Sequence, residues 1–442
     1  MSFRTLTLTL VLVLGALGVG APGPRPAQGQ DPSAEPGSQV STEPGAQLRV
    51  WLVTASPGDA IWERYGHNAI RILDMETGRD VAYNWGIFDF QQADFVPRFL
   101  QGRMLYMMAP FPTRPMLDSY ASADREVVLQ ELDLSPAQKL ELSHLADRNA
   151  LPENRDYLYQ YFRDNCSTRV RDLLDQVLGG VLRSRFGTEY RGATYREQTR
   201  RLTQLDPLVY TGIDLLLGAH TDQPISVWDE MFLPPTLRDE IREVTITGPD
   251  GIARPLVTSE EVVVASSRPV DPEEPPRWFV TYLLLGLLLG AVLASSTTVA
   301  VRSRKALRVA VSTASVLWSV SGGVIGTVLV LLLFTDHSFA HWNENLFLFN
   351  PLMLPLAVML PLARLGGRWR SWARAVALTV AGIAVLGFAW QIVPASTHEN
   401  AIFFALALPS HLGLAYAATR TTPRTPSRPP AADPRSPTPT AR

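Results

Sequence analysis

An α+β extracytoplasmic domain followed by an α-helical transmembrane bundle of about five helices is the architecture this sequence predicts. Three observations predict it: a short apolar leader, mixed strand and helix patterns between residues 47 and 266, and five apolar blocks beyond residue 278. The 442 residues leave room for two or three folding units. A formal net charge of −2 gives no general attraction for nucleic acid, so nucleic acid is excluded as a partner class. The chain has one cysteine, Cys166, and therefore no intrachain disulfide. In an exported protein a lone cysteine is either a buried inert thiol or a reactive one.

Arg4, an apolar run over 6–19 and the small residues Gly20-Ala21 read as a secretory signal peptide, residues 1–21. Residues 22–46, rich in Pro, Gly, Ala, Gln and Ser without periodicity, read as a disordered linker. The folded domain, residues 47–266, opens with a strand over 48–54 that runs into a Ser56-Pro57-Gly58-Asp59 turn. A short helical turn over 60–65, a strand over 67–73, a glycine-containing loop and a returning strand over 81–88 follow. Ser135-Pro136 starts a helix as N-cap and first-turn proline. A second helix begins near Asn165, carries Val170, Leu173, Leu174 and Val177 on one face, and stops at Gly179-Gly180. Residues 181–266 are mixed, with a helical stretch over 213–217 and a hairpin-like close over 244–264, forming either a lobe of this domain or a subdomain.

A proline- and acid-rich linker, 267–277, precedes a transmembrane domain at 278–419. Its apolar blocks lie near 278–301, 309–334, 346–363, 375–393 and 401–419, each near the ~20 residues a bilayer requires. Arg302, Arg304, Lys305 and Arg308 lie in the first connecting loop, Arg364, Arg368, Arg370 and Arg374 in the third, and further arginines in the tail 420–442. The second and fourth loops hold no Lys or Arg. Basic loops stay cytoplasmic, so residues 47–266 face outward, in agreement with the leader. Trp278, Trp342, Trp369 and Trp372 lie at span ends as interfacial anchors, and His411 lies inside a span, where it needs a partner.

The chemistry centres on Asp164-Asn165-Cys166-Ser167-Thr168-Arg169. A cysteine in the first turn of a helix faces free backbone N–H groups and the positive end of the macrodipole, which lowers a thiol pKa. A nucleophilic cysteine needs a base, and His67, in Tyr65-Gly66-His67-Asn68, stands at a strand start with Gly66 leaving room for close approach. Asn84, on the neighbouring strand, is the first candidate to orient that ring, ahead of Asp89 and Asn68. Each residue has a bland alternative: Cys166 as a small buried hydrophobe, His67 as a strand-end histidine, Asn84 as a cross-strand hydrogen-bonding residue. A second polar set, Asp336, His337, His341, Asn343, Glu344 and Asn345 with His398, Glu399 and Asn400, crowds the two outer loops. It reads either as ordinary capped loops or as a polar floor for lipid head groups; metal binding by its histidines has weaker support, and no cofactor is called for.

With Gly66-His67-Asn68-Ala69, Tyr83-Asn84-Trp85-Gly86 and Asp164-Asn165-Cys166-Ser167-Thr168-Arg169, the chain resembles the Lnb-type bacterial lipoprotein N-acyltransferases. Trp228-Asp229-Glu230, Asp336-His337, Asn343, Asn345 and Asn350-Pro351 extend the likeness into the rest of the chain. The resemblance implies a papain-like fold of the circularly permuted NlpC type, with histidine before cysteine as in lecithin:retinol acyltransferases. It implies Cys166 as nucleophile and His67 as base. The expected reaction moves an acyl chain from a glycerolipid ester, through a thioester, to the N-terminal amine of lipoproteins. Phospholipids and diacylglyceryl-lipoproteins are then the partners, the cell inner membrane the location and the periplasm the side of the domain. Asn165, Arg169, Tyr65, His337, Asn343 and Asn345 are the candidate substrate-binding residues. Two other readings share these residues: a membrane-anchored cysteine peptidase or amidase acting on peptidoglycan, and a non-enzymatic sensor or scaffold with an inert Cys166.

Overall fold

The structure, a computed structural model, describes residues 43–248 and 251–420. The expected signal peptide, nearly all of the following linker and the tail from 421 lie outside the described residues. The domain is built on strands β1 (Leu48–Ala55), β2 (His67–Asp74), β3 (Asp80–Ile87), β4 (Leu105–Pro112), β5 (Val127–Leu132) and β6 (Asp156–Leu158), with helices α1 (Phe95–Gln101), α2 (Thr113–Ser122), α3 (Pro136–Asn149) and α4 (Cys166–Val177). Seven strands form one sheet in the order Val257–Val264, β5, β1, β2, β3, β4, β6, and the pairings are antiparallel. β1 is apolar almost throughout because both of its faces are covered. Val50 and Leu52 pack with Leu142 of α3 and Val170 and Leu174 of α4. Trp51, Val53 and Ala55 pack on the other side with Met116, Leu117 and Tyr120 of α2.

Ser135 caps α3 with its hydroxyl on the Gln138 N–H, and Gln138 returns the bond to the Ser135 N–H. Asn165 caps α4 from the Ser167 and Thr168 N–H groups at 2.9 Å. The helical turn before β2 shrinks to Ile61–Glu63. The expected hairpin over 244–264 is shorter than its sequence pattern: Thr245–Thr247 pairs with Ala253–Pro255, after which Val257–Val264 leaves to join β5 in the main sheet.

Among the described residues, four helices are long and apolar enough to cross a membrane: Phe279–Thr297, Lys305–Leu332, Gly367–Trp390 and Ala401–Arg420. The third expected block is divided between a turn at Glu344–Phe347 and a shorter helix, Met353–Leu362, which a further turn extends to Leu365. Asn350-Pro351 is the reason, since proline has no N–H to give and pushes its predecessor out of helical geometry. Small residues let the bundle close tightly: Gly286 and Gly290 lie against the Ala405 and Pro409 carbonyls, and Gly326 against the Asn350 backbone.

The domain and the bundle meet through a buried polar joint. Arg196, fully buried, is bound to Asp222 and to Asp214 (Nη1 to Oδ1, 2.7 Å), and donates to the Leu217 and Gly218 carbonyls. Asn343 and Asn345 of the outer loop donate to the Leu215 carbonyl at 2.9 and 3.0 Å, and Asn343 also to Leu217 at 3.2 Å. The Gly218 N–H binds the Phe339 carbonyl at 2.7 Å, and Leu215 packs among Leu329, Leu348 and Phe403 of the bundle. Arg200 links Asp214 to Glu399 in the fourth loop.

Candidate active site

Cys166 is the first residue of α4, nine-tenths buried where that helix crosses the start of β2 and the end of β3. Two side chains seat the helix start. The Ser167 hydroxyl donates to Asn68 Oδ1 and sits beside the Met231 carbonyl, and the Asn68 amide donates to Thr54 Oγ1 and the Val53 carbonyl. Asn165 donates to the Tyr161 and Phe232 carbonyls. Gly86 lies under the thiol: a Cβ there would stand 3.4 Å from the Cys166 Cβ, on backbone of positive φ (+88°). Gly66, expected to make room for the imidazole, has a different task. A Cβ on it would meet the Ala55 carbonyl at 2.8 Å, so it lets β1 and the chain entering β2 approach.

His67 opens β2, and the backbone N–H of its neighbour Asn68 acts to lower the Cys166 thiol pKa. His67 Nε2 lies 3.0 Å from Asn84 Oδ1, one strand over in the register Ala69↔Asn84. The Asn84 amide nitrogen donates to the Ala82 carbonyl at 3.0 Å, which turns its oxygen towards the ring. An oxygen there requires His67 Nε2 to carry the proton, and the neutral ring then holds its lone pair on Nδ1. Asp89 lies exposed in the following turn, where it accepts from the Gln91 N–H. Asn68 serves the α4 seat, so neither contacts the imidazole as Asn84 does.

The electrostatics depart from the helix-dipole expectation. Burial pushes the Cys166 thiol up, outweighing the lowering by the N–H groups of Asn68, Ser167 and Cys166 itself and by the charge of Arg125. Burial holds His67 down at about 4, with Asn84 acting the other way and Arg125 adding to the fall. At neutral pH the buried Cys166 thiol and the buried His67 imidazole are both uncharged. A rate that depends on unprotonated His67 is therefore expected to stay level as pH drops through 6.5 and to fall only near pH 4. An acid limb at pH 6–7 in the pH–rate profile of kcat/KM would contradict this.

Of the other candidate residues, Arg169 pairs with Asp164 and lies over the Tyr157 ring, 4.1 Å from its centroid. Tyr65 packs beside the Phe162–Tyr195–Phe232 cluster, its hydroxyl pushed up to about 12 by burial. His337 bonds through Nε2 to the Phe99 carbonyl at 2.8 Å and stacks on Tyr161. Asn343 and Asn345 are buried and their amide nitrogens are engaged by backbone carbonyls, which makes them parts of the joint and not a floor open to head groups. The outer-loop histidines have separate tasks: His341 bonds to the Leu332 and Thr335 carbonyls and His398 to the Glu344 N–H. No group of three His, Cys, Asp or Glu side chains among the described residues could hold a metal ion.

Sequence reasoning missed Arg125. It is buried, donates from Nε to the Ser56 carbonyl at 2.8 Å, pairs with Glu63 at 3.3 Å and lies over Tyr120, yet its charge acts on both Cys166 and His67. Its turn position before β5 carries no sequence signal. Asn84→Ala is expected to lower kcat/KM roughly tenfold, the value of one neutral hydrogen bond. Asn84→Gln should not restore it, because a longer amide cannot keep both the ring and the Ala82 carbonyl.

The Lnb N-terminal periplasmic domain matches residues 41–201, and the Lnb transmembrane domain matches residues 274–422. Together they span more than two thirds of the chain. No curated protein and no solved structure matches it.

Proposed function

The chain belongs to the Lnb family, as a membrane protein with a periplasmic domain, and on that footing we propose that it is a thiol-dependent lipoprotein N-acyltransferase of the inner membrane. The observation that supports this reading is a His67–Asn84 bond, with Cys166 buried at the start of α4, in a domain fixed to the bundle by buried bonds. A hydrolase of peptidoglycan needs reach away from the membrane. An enzyme whose two substrates both stay in the bilayer needs its nucleophile held at a fixed height.

In the first half-reaction the Cys166 sulfur attacks the carbonyl carbon of a glycerolipid ester while His67 Nδ1 takes the thiol proton. A neutral imidazole serves as that base without prior deprotonation of the thiol. Negative charge developing on the carbonyl oxygen is met by the Cys166 N–H, which the Asn165 cap does not take, with Arg125 adding positive charge nearby. The ester C–O bond then breaks, and the lyso-lipid oxygen leaves with the proton from His67. In the second half-reaction the N-terminal amine of a diacylglyceryl-lipoprotein attacks the thioester. The C–N bond forms, the C–S bond breaks, and His67 passes the amine proton back to sulfur.

The test is mass spectrometry of lipoprotein N-termini from cells that lack their own N-acyltransferase and express the full chain. Wild type is expected to add an N-linked acyl chain, and His67→Ala to add none. Unmodified N-termini with wild type at normal membrane levels would defeat the substrate assignment and favour the peptidoglycan reading.

A further inference from the structure

We propose that α1 is immersed in the outer leaflet, and that the aromatic wall behind it conducts an acyl chain from the bilayer to Cys166. The conduit part rests on the acyltransferase reading; the membrane seat of α1 does not.

Position comes first. The Lys305–Leu332 span ends four residues before Asp336, on the side opposite its basic cytoplasmic end. α1 is fastened to that outer end by three bonds. The Asp336 N–H binds the Gln101 carbonyl at 2.8 Å, Arg103 pairs with Asp336 at 2.6 Å, and His337 holds the Phe99 carbonyl. Gly102 permits the contact, since a Cβ there would lie 2.7 Å from the His337 nitrogen. A seven-residue helix is thereby held at the level where a span leaves the hydrocarbon.

Composition comes second. At that level Val96 and Leu100 are 62% and 63% exposed, and Phe99, Phe90 and Trp62 are exposed beside them. Phe334, at the span end itself, is 83% exposed. Apolar surface continuous with a membrane span is accounted for by lipid. Arg98, on the same helix, suits the phosphate level with its stem along the apolar face.

Continuity comes third. Ring contacts run inward from α1 without a break: Phe99 to Phe95 at 6.3 Å, Phe95 to Phe88 at 6.4 Å, Phe88 to Tyr106 at 4.9 Å, and Tyr106 stacked on Tyr159 at 4.2 Å. Tyr159 then reaches Gly86, the residue under Cys166. Trp62 and Phe90 flank this line at Phe88. Aromatic rings line the path from α1 to Gly86, with phenylalanines on the membrane side and two tyrosines next to the site, which suits the tail of a lipid.

The experiment places an environment-sensitive fluorophore on Leu100→Cys or Val96→Cys in the full chain carrying Cys166→Ala. The protein is reconstituted in phosphatidylcholine–phosphatidylglycerol vesicles whose acyl chains are spin-labelled near the glycerol. Both labels are expected to shift to the blue and lose emission to the spin label, while a label on exposed Glu141→Cys does neither. A Leu100 label that behaves like the Glu141 label overturns the membrane seat, as does a blue shift without quenching, which indicates a protein partner. In parallel, Val96→Asp with Leu100→Asp, Cys166 intact, should lose thioester formation from bilayer phospholipid and keep it from a soluble short-chain ester. Equal loss, or no loss, with both donors overturns the conduit. A wild type that forms no thioester from either donor, while the labels at positions 96 and 100 of the Cys166→Ala chain are quenched, defeats the acyltransferase reading and leaves the membrane seat standing.

Discussion

Cys166→Ala is expected to lower the purified protein's rate of acyl transfer by at least ~10⁴-fold, to the level left by binding and oxyanion donors alone. The loss should appear in kcat with little change in KM, because the thiol acts in bond making and adds little to ground-state binding. Cys166→Ser is expected to fall almost as far. Burial already holds the more acidic thiol protonated, and a hydroxyl in the same place is a poorer nucleophile for a neutral imidazole to activate. The variants should keep the wild-type fold, since the cap on α4 and the Ser167–Asn68 bond do not involve the sulfur. Rates from a discontinuous assay of N-acylated peptide check this. Residual activity within tenfold of wild type would remove Cys166 from the chemistry.

Arg196→Met carries the largest expected loss of stability. It leaves Asp222 buried without its cation, leaves Asp214 with Arg200 alone, and takes a donor from the Leu217 and Gly218 carbonyls. Removing one member of a buried ion pair costs about 3–5 kcal/mol, which corresponds to a fall in Tm of roughly 10 °C. The damage should concentrate at the joint, so limited proteolysis is expected to cut near residues 205–225 before it cuts the sheet. Arg196→Met combined with Asp222→Leu should recover part of the loss, because the carboxylate left without a cation is then gone while Asp214 keeps Arg200. A single variant as stable as wild type in thermal unfolding would show that the joint does not depend on this pair.

The strands and helices nearest the site were legible because their signals are local. Alternation and turn residues marked β1 to β3, and Ser135-Pro136 and Asn165 marked the starts of α3 and α4. The order of strands was not legible, since it depends on pairings such as β1 with β5 and β5 with Val257–Val264, more than a hundred residues apart in the second case. α1 escaped notice because its exposed apolar residues follow a surface the sequence does not reveal, and Pro97 argues against a helix. The outer-loop asparagines were read for their polarity alone. Their partners are backbone carbonyls of residues 215 and 217, well over a hundred positions away, which no motif encodes. The direction of the thiol pKa was misjudged for a related reason: the dipole is a property of α4, whereas the burial that outweighs it comes from β2, β3 and Tyr159.

The central claim is that an acyl chain rests on Cys166. Simple alkylation tests it poorly, because a buried protonated thiol reacts slowly whatever its function. The direct measurement is peptide mass spectrometry of the wild-type protein after incubation with phospholipid vesicles and no amine acceptor. An acyl mass on the Cys166 peptide, removed by neutral hydroxylamine, absent from His67→Ala and chased onto a diacylglyceryl-peptide when one is added, is the predicted result. A Cys166 peptide that stays unmodified while N-acylated product still accumulates on adding the acceptor would contradict the account.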